Sequence, residues 1–322
     1  MRFKATFSEK GLLVLDKGFL PMFEKFGKTL QVLLGEEEVH FVQSPLNTDG
    51  PHVVSRFATS VLFDAHQYKC QSKHCNLIAF TVDAALLLRV LRSAGANNAD
   101  TLEVRLTQRS MQGAPTPDTS APPPPPKPFL TFTGRGDTLS MVQDVPISRP
   151  LTASEIDRLV ATKDVDRMCP YYVDLQPCVP MLHSMVDRMK GVADAIGLAT
   201  CLNGDVHVGV SAINTVMGTQ VRELAVYGAP APAALAPDRS APADQQLQDA
   251  LHAGEAIEVH VQQKHLLRML AAAQLTTPSQ MLCGIAESRA YVHVMYVFKD
   301  PSSDDRFDDS VHLSFRLPVK DV

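Results

Sequence analysis

Apolar and polar residues alternate along many short stretches of this chain: Met1 to Phe7, Leu102 to Leu106, Phe129 to Phe132, Thr138 to Val145, Tyr291 to Met295 and Val311 to Phe315. A side-chain period of two predicts strands with one buried face, and so many short ones suit antiparallel pairing. Four segments switch to the helical period. In Asp16 to Lys28 the stripe is Phe19, Met22, Phe23 and Phe26; in Val82 to Ala94 it is Leu86, Leu87, Val90, Leu91 and Ala94. In Val179 to Val192 it is Leu182, Met185, Val186 and Met189; in Gln262 to Ala273 it is Leu266, Met269, Leu270 and Ala273. Each predicts an amphipathic helix laid on a sheet.

The order of these elements repeats. Leu87-Leu88-Arg89-Val90-Leu91 returns as Leu266-Leu267-Arg268-Met269-Leu270, and Pro21-Met22-Phe23 returns as Pro180-Met181-Leu182. Each proline-led helix precedes a hairpin, Leu30 to Leu34 with Val39 to Val42 in one half and Gly197 to Leu202 with Val206 to Val210 in the other. The repeat is too long for a solenoid and reads as two duplicated domains. Their expected bounds are 1–147 and 168–322, separated by a connector at 148–167. There Pro146 and Pro150 break any strand, and Glu155 to Val160 is expected to form at most a helical turn. A proline-rich insertion at 111–128 and an Ala/Pro-rich one at 228–249 carry too little apolar material to offset their ordering entropy, so both are expected to be surface loops.

Composition narrows the class. With 322 residues, 45% of them hydrophobic, the chain is long enough for two cores. No apolar run approaches the roughly 18 residues needed to cross a bilayer, and the opening segment lacks the apolar stretch of a secretory signal. Six cysteines scattered through core-like segments are expected to be reduced thiols of an intracellular protein. The net charge of −5 gives no global attraction to nucleic acid, so the placement of cations decides.

That placement is uneven. Lys17, Lys25 and Lys28 lie away from the first helical stripe, Arg89 and Arg92 away from the second, and Lys264 and Arg268 away from the fourth; Arg188 and Lys190 edge the third. Amphipathic helices ordinarily carry charge on their wet side. Here, though, the expected exposed faces around Arg89, Arg92, Lys264 and Arg268 hold no acid, in a chain where acids outnumber bases, and such faces suit the backbone of a polyanion.

Other chemistry is poorly supported. His66, Cys70, His74 and Cys75 are metal-ligand types but crowd into ten residues, unlike zinc spacings, so no metal site is expected. Arg135-Gly136-Asp137 reads as a hairpin turn, and the acidic run Pro301 to Asp309 as a connection between strands without a calcium-loop pattern. There is no phosphate-cradling glycine loop, nucleophile elbow or H-E-x-x-H. Neither catalysis nor a cofactor is expected; Asp164-Val165-Asp166 is a weak candidate for a metal-dependent nuclease.

Met1-Arg2-Phe3-Lys4-Ala5, Met141 to Ile147, Leu182 to Lys190, and Lys264 to Leu267 through Met281 to Ile285 resemble stretches of the hydroxyurea-sensitive (HUS) checkpoint family, one subunit type of the nine-one-one clamp. The resemblance runs from end to end apart from the insertions. It implies an α+β sliding-clamp fold like that of proliferating cell nuclear antigen: two domains with two helices each on antiparallel sheet. Three different subunits would form a ring around double-stranded DNA, with the nine cations above on its inner wall. The strand carrying Thr138, Ser140, Val142 and Asp144 and the strand carrying Thr215, Met217, Thr219 and Val221 would be open edges that pair with the two other subunits. The connector and adjacent sheet would offer an apolar groove to partner peptides. The resemblance further implies a nuclear protein that a clamp loader handles and that recruits checkpoint and repair proteins, with no membrane partner. The chain ends at Val322, soon after its last predicted strand, which suits the HUS position better than that of the family's tailed signalling subunit. A third, tailless subunit type and a homotrimeric replication clamp stay open.

Overall fold

The computed structural model describes residues 1–44, 49–97, 99–109, 126–136, 140–163, 169–212, 215–228, 239–299 and 308–320. The chain divides into two compact units, unit 1 with Met1–Gln43 and Ser55–Val165, and unit 2 with Ser44–Val54 and Asp166–Val322.

Unit 1 contains β1 (Arg2–Thr6), β2 (Thr29–Leu34), β3 (Glu38–Gln43), most of β4 (His52–Ala58), β5 (Lys69–Gln71), β6 (Ile78–Asp83), β7 (Thr101–Arg109), β8 (Lys127–Arg135) and β9 (Ser140–Pro146). Its helices are α1 (Glu9–Leu13), α2 (Leu20–Phe26), α3 (Thr59–Leu62), α4 (Ala84–Ala96) and α5 (Ala153–Lys163). Five strands form an antiparallel sheet in the order β5-β1-β7-β8-β9, and β2 pairs with β3 on one side and β6 on the other. Phe23, Phe57, Phe80 and Phe132 are buried, and the Phe57 ring meets Phe19 edge-on at 4.7 Å.

Local chemistry sets the helix ends. The Asp83 carboxylate accepts the N–H groups of Ala85 at 2.9 Å and Leu86 at 3.2 Å, so α4 starts where the strand stops. Ser8 caps α1 through the N–H of Gly11 at 2.9 Å. Gly11 is needed for contact with α3, because a Cβ there would lie 2.6 Å from the Leu62 Cα. A π-helical turn, Val14–Phe19, joins α1 to α2 just before Pro21, which has no N–H to return to the preceding turn.

Unit 2 contains β10 (Tyr172–Asp174), β11 (Ala195–Cys201), β12 (Val206–Ala212), β13 (Thr215–Val221), β14 (Val226–Tyr227), β15 (Ala256–Gln262), β16 (Gln280–Ile285), β17 (Tyr291–Val297) and β18 (Val311–Pro318). Its helices are α6 (Val179–Arg188), α7 (Ala243–His252) and α8 (Gln263–Thr276). A four-stranded sheet runs β13-β12-β11-β15, and β14, β10, β16, β17 and β18 pair in succession. The buried Tyr296 hydroxyl donates to the Met269 carbonyl, which ties β17 to α8.

Several expectations need correction. On α4 Leu88 is buried and Leu86 only half-buried, and on α6 Met185 is half-buried. Lys28 lies beyond the end of α2, after the cap residue Gly27, and Lys190 lies beyond the end of α6. The connector forms the helix α5 rather than a single turn: the Glu155 carboxylate accepts the Thr152 N–H at 2.7 Å and its hydroxyl at 2.8 Å, a capping box. The connector is also joined to β6 through Ser148 N–H to Thr81 O at 2.9 Å and Leu151 N–H to Ala79 O at 2.8 Å. Ile156 and Leu159 of the connector are buried. The ends of both insertions are ordered: Lys127 and Pro128 belong to β8, and 243–249 are helical in α7. Residues 110–125 and 229–238 lie outside the described residues, as do Asp164, Val165 and Asp166 and most of the acidic run ending at Asp309.

Candidate nucleic-acid interface

All nine cations singled out from the sequence are exposed. In unit 1, α2 and α4 pack together, which brings Arg89 and Arg92 beside the segment bearing Lys17 and Lys25. Asp16 sits between them. Its carboxylate binds Arg92 Nε at 2.9 Å and Lys17 Nζ at 3.4 Å, so the α4 surface does have an acidic neighbour, brought by a residue far away in sequence. Lys28 pairs with Asp83 at 3.5 Å. Lys25 and Arg89 form no ion pair among the described residues. At such exposed positions each pair is worth at most about 1 kcal/mol, and the partly neutralised cations Lys17, Lys28 and Arg92 remain weaker anchors for a phosphate than the unpaired ones.

In unit 2 the cations are gathered into a cleft. Here α6 packs on α8, and Lys190, Lys264, Arg268 and Lys320 line a cleft of ≈ 580 Å³ in which Asp194 is the one carboxylate among the described residues. Asp194 also begins α8: its carbonyl accepts the Gln263 N–H at 2.9 Å. The N-cap residue of α8, Gln262, makes no side-chain cap, so the positive end of the helix dipole opens into the same cleft. Arg188 lies at the end of α6, outside the cleft lining. Lys320 went unnoticed in the sequence because it follows the last strand and belongs to no amphipathic pattern. Only the pairing of chain segments brings it to α8: its N–H donates to the His260 carbonyl at 2.7 Å, on the strand that leads into that helix.

The two proposed edge strands do end sheets. β9 closes the five-stranded sheet and β13 the four-stranded one. Ser140 and Val142 are exposed on β9, and Val142 is 56% accessible, high for an apolar strand residue. Asp144 is turned to its own sheet, accepting from Thr131 Oγ1 at 2.6 Å and pairing with Arg109 at 2.7 Å. On β13 Thr215 is exposed, Met217 and Thr219 are half-buried and Val221 is buried; Val216, on the opposite face, is 73% accessible. Thr138 lies outside the described residues.

The remaining sequence candidates do not assemble. The Cys70 thiol is buried and donates to the Asn76 carbonyl at 3.1 Å; burial pushes its pKa up to about 11. His74 is turned to Asp157 on the connector helix, Nε2 to Oδ1 at 2.9 Å. Among the described residues no group of three or more His, Cys, Asp and Glu side chains could hold a metal ion. Burial likewise raises Cys178 to about 11 and Cys201 to about 12, leaving thiols that are poor nucleophiles. Arg135 ends β8, and Asp137 lies outside the described residues.

Comparison with known proteins gives this geometry a context. A family profile described as Hus1-like protein matches residues 1–318. A relative described as checkpoint protein hus1 homolog, from Dictyostelium discoideum, is 25% identical over 203 residues, 63% of this chain and 67% of the relative. The crystal structure of proliferating cellular nuclear antigen from Entamoeba histolytica matches with a TM-score of 0.60 over 99% of both chains, at 9% sequence identity. The fold is therefore the α+β sliding-clamp fold.

Proposed function

The chain belongs to the Hus1-like family, and on that footing we propose that it is a non-catalytic subunit of a heterotrimeric DNA clamp, acting in the nucleus at damaged sites or stalled forks. Proteins of this family and fold are generally non-catalytic: the ring's closure retains DNA, and inner cations hold it loosely enough to slide. The observation that carries the reading is the same in each unit, a packed helix pair presenting exposed cations together with a sheet that ends in an open strand. The helix pairs would face the phosphate backbone, through Lys25 and Arg89 in unit 1 and the cleft of Lys190, Lys264, Arg268 and Lys320 in unit 2. The edges β9 and β13 would pair with two other clamp subunits by strand addition. In this role the chain is handled by a clamp loader and helps recruit checkpoint and repair proteins.

Strand edges matched to other proteins should not close a ring with copies of themselves. Light scattering on the purified chain is therefore expected to show no trimer at micromolar concentration, and a trimer only when two partner clamp subunits are added. A stable trimer of this chain alone would overturn the heteromeric reading in favour of a homotrimeric replication clamp.

A further inference from the structure

Unit 2 holds a second concavity, on the four-stranded sheet. Leu198, Val208 and Val259 bury one face of this sheet. The other face has a floor without side chains: Gly197 on β11 stands opposite Gly209 on β12, and Gly209 opposite Gly218 on the edge strand β13. At the far end of this row His260 on β15 stands opposite Gly197. The resulting trough, ≈ 410 Å³, is bounded by α7 through Asp244, Leu247 and Gln248, and by Glu258 and His260 on β15.

Its polar groups converge on the floor. A Cβ on Gly197 would lie 3.2 Å from Glu258 Oε1 and 3.6 Å from His260 Nε2, so the carboxylate and the imidazole occupy the space that a side chain would take. His207, in the next row, also lines the trough; it is only 8% accessible and makes no hydrogen bond among the described residues. Among the described residues neither Glu258 nor Asp244 is in an ion pair and no Lys or Arg lines the trough, the neighbouring Arg222 being held by Gln220 Oε1 at 2.8 Å. Two carboxylates outside any ion pair and an imidazole without a protein partner, beside bare peptide planes, make a site suited to a flat cation. A guanidinium fits those demands: it is planar, can lie against backbone, and carries five donors for carboxylate, imidazole and carbonyl acceptors.

We propose that this trough receives an arginine side chain of a partner polypeptide, its guanidinium lying over Gly209 and Gly218 and anchored by Glu258, with Asp244 on the α7 side. The inference does not rest on the clamp reading. Because Gly218 opens the row at the edge strand, the arginine enters from that side.

The test is NMR of the full chain with ¹³C-labelled histidine rings, titrated with acetyl-Gly-Arg-Gly-amide and, separately, with its neutral isostere acetyl-Gly-citrulline-Gly-amide. The arginine peptide should shift the His207 and His260 signals saturably, and the citrulline peptide should not. Glu258→Gln should weaken arginine binding at least tenfold while the signal of His293, which does not line the trough, stays at its wild-type position, which reports an intact fold. Gly209→Ala, which narrows the floor without removing charge, should also weaken binding. Equal responses to the two peptides, no response to either, or undiminished binding in a folded Glu258→Gln/Asp244→Asn protein would overturn the proposal.

Discussion

His52 shows how one side chain can set a pH limit on the fold. Its Nε2 is buried without a hydrogen-bond partner, and burial, aided by the charge of Arg316, pulls its pKa from 6.5 down to about 4. Between those values the unfolded chain takes up a proton that the folded chain refuses. The contribution to stability is complete above pH 6.5, falls as the pH drops, and is gone near pH 4. The gap corresponds to at most roughly 3 kcal/mol. Burial also lowers His207 and His265, which add to the loss in the same direction. His52→Gln should therefore flatten the dependence of urea-unfolding free energy on pH between 6.5 and 4. An unchanged slope would mean that the imidazole is hydrated in the native protein. The burial of His52 was not legible in the sequence, where it sits between a proline and an apolar pair. Nor was the Arg92–Asp16 contact, since it joins side chains 76 residues apart and a helical stripe records only its own neighbours.

At the scale of elements the periodic patterns were the reliable signal. The two hairpins, the four helices and the strand β9 lie close to where alternation or the 3.6-residue period puts them, because burial on one face is what both patterns encode, whereas β13 follows only from the family resemblance. The buried stripe on α4 is wider than the periodic pattern implies, since that helix packs against β6 and β9 as well as α2 and so buries Leu88. The connector shows the opposite error. Pro146 and Pro150 mark a break in the pattern, yet Thr152-x-x-Glu155 is a capping box and starts α5. Because Ile156 is fully buried, Ile156→Asp places a carboxylate in an apolar seat and should cost about 2–4 kcal/mol. The helix should yield before the sheets do. Hydrogen exchange read by mass spectrometry should show residues 150–163 losing protection while β7 and β8 keep theirs. Wild-type protection across the connector would mean that Ile156 contributes little to holding it.

Across the whole molecule, the duplication was visible in the repeated leucine-arginine and proline-led segments, and the fold class followed from it together with the family resemblance. The site was only partly visible. Helical faces identified the cations, but their distribution between paired and unpaired depends on tertiary contacts: Lys17, Lys28 and Arg92 are tied to Asp16 and Asp83, while Lys320 joins the α8 cleft unannounced. This sorting sharpens the most direct test of the account. The chain, assembled with the two partner subunits proposed above, is loaded on circular DNA and retention is followed across a salt series. Changing the unpaired Lys25, Arg89, Lys264 and Arg268 to Glu should weaken retention on any sequence and make the salt dependence shallower by about one unit per lost phosphate contact. Subunit association should not change, because β9 and β13 are untouched. Full retention with an unaltered salt slope in an intact ring would place these helices away from the DNA and contradict the account.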